Sequence, residues 1–132
     1  MDTRSKILDW PGDADVLQRK TAGPTARKAV VGYFDPLLAA HARRLSEIAN
    51  GSRVVAIVTS PERPVLPAAA RAELAAALEV VEHALVVPPA DLPGLLSIVP
   101  KQQVVFAQED DARITEELIR LVRARQSRQT PS

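Results

Sequence analysis

Residues 29–59 read AVVGYFDPLLAAHARRLSEIANGSRVVAIVT, and this stretch decides the fold. It opens on AVVGYF (29–34), an apolar, largely β-branched run of the type buried on both faces of a parallel sheet, and closes on a second such run, VVAIVT (54–59). Between them Asp35 stands before Pro36, the pairing of a helix N-cap with a proline at the first helical position. Leu38, His41, Leu45 and Ile48 then recur at helical spacing until Asn50-Gly51 stops the helix. A strand, a covering helix and a second strand in this order make a βαβ unit, in which the helix returns the chain so that the strands run parallel.

Working outward, two more apolar runs read as strands, ALVV (84–87) and VVFA (104–107). Pro67 opens an Ala-rich helix through Leu78, with Leu74 and Leu78 one turn apart. A shorter helix covers 91–98, with Pro93 in its first turn, Gly94 weakening it and Pro100 ending it. A last helix spans 111–123, where Ile114, Leu118, Leu121 and Val122 share one face and the acids gather at the end that the helix dipole favours. Ahead of the first strand, 13–20 reads as a short helix packed on the sheet, between Pro11-Gly12 and Ala22-Gly23-Pro24. The expected fold is a Rossmann-like three-layer α/β/α sandwich with a parallel sheet of four to five strands and right-handed crossovers. Residues 1–27 form its lead-in, 28–125 the α/β domain and 126–132 a polar tail.

Composition narrows the functions. At 132 residues one core is affordable without staples, since a domain of this size buries about 65–70% of the surface its unfolded chain exposes. Cysteine is absent, which excludes disulfides, thiolate catalysis, thiolate metal sites and iron–sulfur clusters. With 17 Lys+Arg against 16 Asp+Glu the net charge is +1, too little to hold nucleic acid or an acidic membrane by its general field. At 3% aromatic residues there is almost no stacking platform for single strands. No apolar run approaches the about 20 residues that span a bilayer, and residues 1–10 lack the apolar stretch of a signal peptide. The chain reads as cytoplasmic, with no nucleic-acid or membrane partner.

In an open parallel sheet, ligands bind beyond the strand C-termini where strand order reverses, and the first strand-to-helix turn lines that crevice. Here that turn is Gly32-Tyr33-Phe34-Asp35-Pro36. The amides opening the next helix suit a phosphate there, although the chain holds neither a Gly-rich dinucleotide fingerprint nor a P-loop.

The run GYFDPLLAAH, Gly32 to His41, resembles the GxFDxxHxGH signature of cytidylyltransferase-like nucleotidyltransferases. Gly32, Phe34, Asp35 and His41 match it, while Leu38 stands in place of the first histidine and Ala40 in place of the glycine. RSKILDW, from Arg4, and RPVLPAAARAELAAALEVVEHALV, from Arg63, are similar to parts of the bacterial domain that activates heptose phosphate, so the likeness covers roughly the first hundred residues. The resemblance implies transfer of a nucleoside monophosphate from CTP or ATP, with Mg²⁺, to a small phosphorylated acceptor. It also implies a nucleotide site at Gly32, Tyr33, Phe34, Asp35, Leu38, His41 and Arg113, with His41 catalytic and no protein-bound metal.

Departures gather toward the C-terminus. The loop after Thr59 is short and lacks the family's lysine, and Ala107-Gln108-Glu109-Asp110 stands where Lys-Gly-Gly-Asp belongs. The family's Ser/Thr-rich phosphate motif is reduced to Arg113-Ile114-Thr115. Taken by themselves, His41 on an apolar stripe reads as a partly buried structural histidine, Asp35 as a helix cap, and Lys28, Arg43, Arg44 and Arg113 as solvated charges. The expectation is therefore a nucleotidyltransferase-like domain impaired in catalysis. The alternative is a non-catalytic nucleotide-binding or protein-interaction module on the same fold, working as a homodimer or as a subunit of a larger assembly.

Overall fold

The computed structural model describes residues 3–34, 39–61, 64 and 66–107. Among the described residues five strands and four α-helices carry the fold. They are β1 (Ile7–Leu8), α1 (Ala14–Lys20), β2 (Lys28–Gly32), α2 (Ala39–Ala49), β3 (Val54–Val58), α3 (Ala68–Ala76), β4 (Val81–Val86), α4 (Leu92–Leu96) and β5 (Val104–Phe106). The strands form one open, all-parallel sheet in the order β1-β4-β3-β2-β5, the expected Rossmann-like α/β arrangement. The helix expected at 111–123, the tail at 126–132 and the start of the α2 helix at Asp35 and Pro36 lie outside the described residues.

Alternation along each strand divides the core into two layers. Val30, Val54, Ala56, Val58 and Ala84 face α2 and α3, which contribute Leu45, Ala49, Ala72, Ala75 and Ala76. Ala29, Val31, Val55, Ile57 and Leu85 face the other way, onto Leu17 of α1 and Leu95 of α4. The placement of the helices follows from the strand order. The steps β2→β3→β4 move across the sheet in one direction, whereas β1→β2 and β4→β5 move in the other. Crossovers of constant hand must then lie on opposite faces, as α2 and α3 do relative to α1 and α4.

Several boundaries differ from the sequence reading. Strand β2 ends at Gly32 instead of running through Phe34, because Phe34 adopts a left-handed φ of 51° that no strand tolerates. Strand β4 starts at Val81 instead of Ala84. A register shift opposite Val54 and Val55 interrupts the period of two there, so that Val81 and Ala84, three residues apart, lie in the same layer. Helix α3 stops at Ala76, and its buried stripe is Arg71, Ala72, Ala75 and Ala76; Leu74, which the reading used to mark the helix, is 44% exposed. The small side chains let α3 lie close to the sheet. The lead-in also supplies β1, whose two residues pair with β4 and extend the sheet to a fifth strand.

Candidate functional site

Strand β2 lies between β3 and β5, and the chain reverses its direction of travel across the sheet at this point. Beyond the strand C-termini a crevice forms here in open α/β sheets. Its floor is tied by backbone hydrogen bonds that extend the ladders. The Thr59 amide donates to the Gly32 carbonyl at 3.0 Å, and the Ala107 amide donates to the Val31 carbonyl at 2.7 Å. Gly32 is buried, Tyr33 half-buried and Phe34 only 1% exposed.

Phe34 is the strained residue of this turn. A bulky side chain at φ 51° is an outlier that costs on the order of 1–2 kcal/mol, and it persists where surrounding contacts impose it. Those contacts are the apolar layer that Phe34 shares with Val30, Leu45 and Ala107. Burying the ring goes with the end of β2 at Gly32.

Helix α2 returns antiparallel to β2, which puts its first described turn, with His41, at the same end of the sheet as Gly32-Tyr33-Phe34. His41 is 1% exposed and heads the stripe His41, Leu45 and Ala49 that faces the sheet. The ring is therefore covered more fully than its place on the stripe alone suggested. Of the charged residues near this turn in sequence, Lys28 and Arg43 are exposed and Arg44 half-buried. Asp35, Leu38 and Arg113 lie outside the described residues.

The residue that sequence reasoning passed over is Arg71. It is 1% exposed, and its guanidinium sits across the C-terminal ends of β2 and β3. Nη1 donates to the Tyr33 carbonyl at 2.9 Å and to the Thr59 carbonyl at 2.6 Å. Nη2 donates to Ser60 Oγ at 2.8 Å, and Nε donates to the Leu66 carbonyl at 3.0 Å. One rigid fork thus holds two strand ends and the loop before α3 in fixed relation, as the planar geometry of Arg permits and Lys does not. It also sets a permanent positive charge beneath the crevice, because a guanidinium does not deprotonate. The usable signal was the spacing: Arg71 heads the Ala72, Ala75, Ala76 stripe that must face the sheet.

Among the described residues no group of three or more acidic or histidine side chains is placed to hold a metal ion. Among the described residues no helix is long and apolar enough to cross a membrane. Comparison with protein-family models and with curated proteins finds no match to this chain.

Proposed function

We propose that the chain is a nucleotidyltransferase-like domain that binds a nucleoside triphosphate, CTP or ATP, at the C-terminal ends of β2 and β5, and that its transfer chemistry is impaired. The observation that carries this reading is the coincidence of two independent features. The turn that resembles the family signature, Gly32 to Asp35, leads out of the strand at which the order of the sheet reverses. The buried Arg71 charge beneath that turn favours an anion above it.

Impairment rests on two residues. Leu38 replaces a histidine that would donate to phosphate, and losing one such donor typically costs about 10²–10³ in rate. His41, at 1% exposure, has a ring shielded from solvent and hence from a triphosphate arriving through it. Any Mg²⁺ in this reading travels with the nucleotide as part of the substrate.

Calorimetric titration with CTP and ATP, with and without Mg²⁺, tests the reading on the native chain and on Leu38→His. The expected result is saturable binding in both, tighter in Leu38→His, with no pyrophosphate released by the native chain. Absence of heat from both proteins with either nucleotide overturns it in favour of the interaction module. One observation favours that second reading: Phe106, on β5 at the end of the described sheet, is 57% exposed.

A further inference from the structure

Ser60 is the first residue to leave the sheet where β3 meets the crevice. Gly32 pairs with Val58, and the Thr59 amide still reaches the Gly32 carbonyl at 3.0 Å, so Ser60 follows directly on the bond that ties the crevice floor. It is half-buried. The end of β3 lies one strand spacing, about 5 Å, from the end of β2.

The hydrogen bonding of Ser60 is one-sided. Nη2 of Arg71 donates to its Oγ at 2.8 Å, so the hydroxyl is the acceptor in that bond and its own hydrogen points away from the guanidinium. Among the described residues neither that hydrogen nor the Ser60 amide has an acceptor. Accepting from a cation polarises the O–H bond and makes it a stronger donor. Arg71 is itself held by the carbonyls of Tyr33, Thr59 and Leu66, so the hydroxyl is set in place before any ligand arrives and little freedom is lost on binding. Two uncommitted donors on one residue, backed by a buried positive charge, fit a ligand that only accepts and is itself negative.

We propose that Ser60 binds a phosphate oxygen of the nucleotide, with its hydroxyl and amide as the donors. The inference rests on the nucleotide reading above and adds to it a donor on the strand beside β2, where Leu38 supplies none. A neutral hydroxyl holds phosphate but brings no charge to offset the one that develops on departing pyrophosphate. Ser60 thus supports binding without restoring transfer.

The test is calorimetric titration of the full chain, native, Ser60→Ala and Ser60→Thr, with CTP, ATP, inorganic tripolyphosphate and cytidine, alongside amide NMR of the ¹⁵N-labelled native chain. Ser60→Ala should weaken both nucleotides and tripolyphosphate about tenfold or more, the usual worth of a hydrogen bond to a charged group. Ser60→Thr keeps the hydroxyl and should lose less than about threefold. In the native chain the Ser60 amide should shift with CTP and tripolyphosphate but not with cytidine, a readout that stands whatever the Ala variant does to stability. Nucleotide bound equally by the native chain and Ser60→Ala, or bound with the Ser60 amide unmoved, overturns the role of Ser60 and leaves the nucleotide reading standing. Tripolyphosphate bound through Ser60 with no response to CTP or ATP supports Ser60 as an anion site and overturns the nucleotide reading. Silence toward all the phosphates overturns both.

Discussion

Arg71 shows how one side chain can organise the end of a sheet. Its guanidinium takes up the carbonyls of Tyr33, Thr59 and Leu66, acceptors in a region where water is scarce. Truncating it leaves those groups without a donor, and an apolar replacement removes the charge without serving them. Arg71→Leu is expected to cost about 2–4 kcal/mol, and Arg71→Lys about 1–2 kcal/mol because an ammonium reaches fewer of the four acceptors. Urea unfolding midpoints at constant slope measure both; a Leu variant as stable as the native chain would show that the clamp is dispensable. Phe34 belongs to the same scale and works in the opposite sense. Its backbone costs on the order of 1–2 kcal/mol, while burying the ring contributes about 3–5 kcal/mol by the usual cost of removing one, so burial wins and the strain is retained.

Strand β4 illustrates what an element can hide. Its first half carries Glu82 and His83 where the register shifts, and Glu82 receives Arg27 at 3.1 Å and Lys20 at 3.4 Å. Burial pushes the Glu82 carboxyl up, but the Arg27 hydrogen bond and the charges of Lys20 and Arg27 outweigh it and hold the group below its ordinary value. A carboxyl lowered in the folded state adds stability above its unfolded pKa and loses it as pH falls through the folded one. Glu82→Gln is therefore expected to cost about 1–2 kcal/mol near neutral pH, a difference that closes as pH falls below the ordinary carboxylate range. Denaturation of both proteins across that acid range checks it; a constant gap would mean that the ion pairs do not carry the effect. The Leu74 position makes the companion point for α3. A leucine at helical spacing suggested the buried face, yet alanines and one arginine occupy it, because a helix lying close on a sheet has room for small side chains or for one that passes along the surface.

For the whole molecule, the strand order sets both where a ligand can sit and how the fold comes apart. β2 and β3 are flanked on both sides, while β1 and β5 end the described sheet. Amide exchange should be slowest at Val30, Val31, Val55, Ala56 and Ile57 and fast at Ile7 and Leu8. Equal protection at the β1 edge would mean that the lead-in folds as one unit with the core. The sequence by itself determined the α/β class, four of the strands and the helices between them within the described residues. The determinants were local: apolar runs, helical spacing, and stops at Asn-Gly and Pro. It also determined which turn leads out of the second strand in the sheet, because that turn follows directly from the run it interrupts. Tertiary structure alone decided the order β1-β4-β3-β2-β5, the recruitment of two lead-in residues as a strand, the early start of β4 and the work done by Arg71. The physical reason is the same in each case. Pairing between strands, an irregular register and a buried cation bridging two strand ends depend on groups brought together from separate parts of the chain, and although helical spacing marks Arg71 as facing the sheet, it does not say which carbonyls meet it.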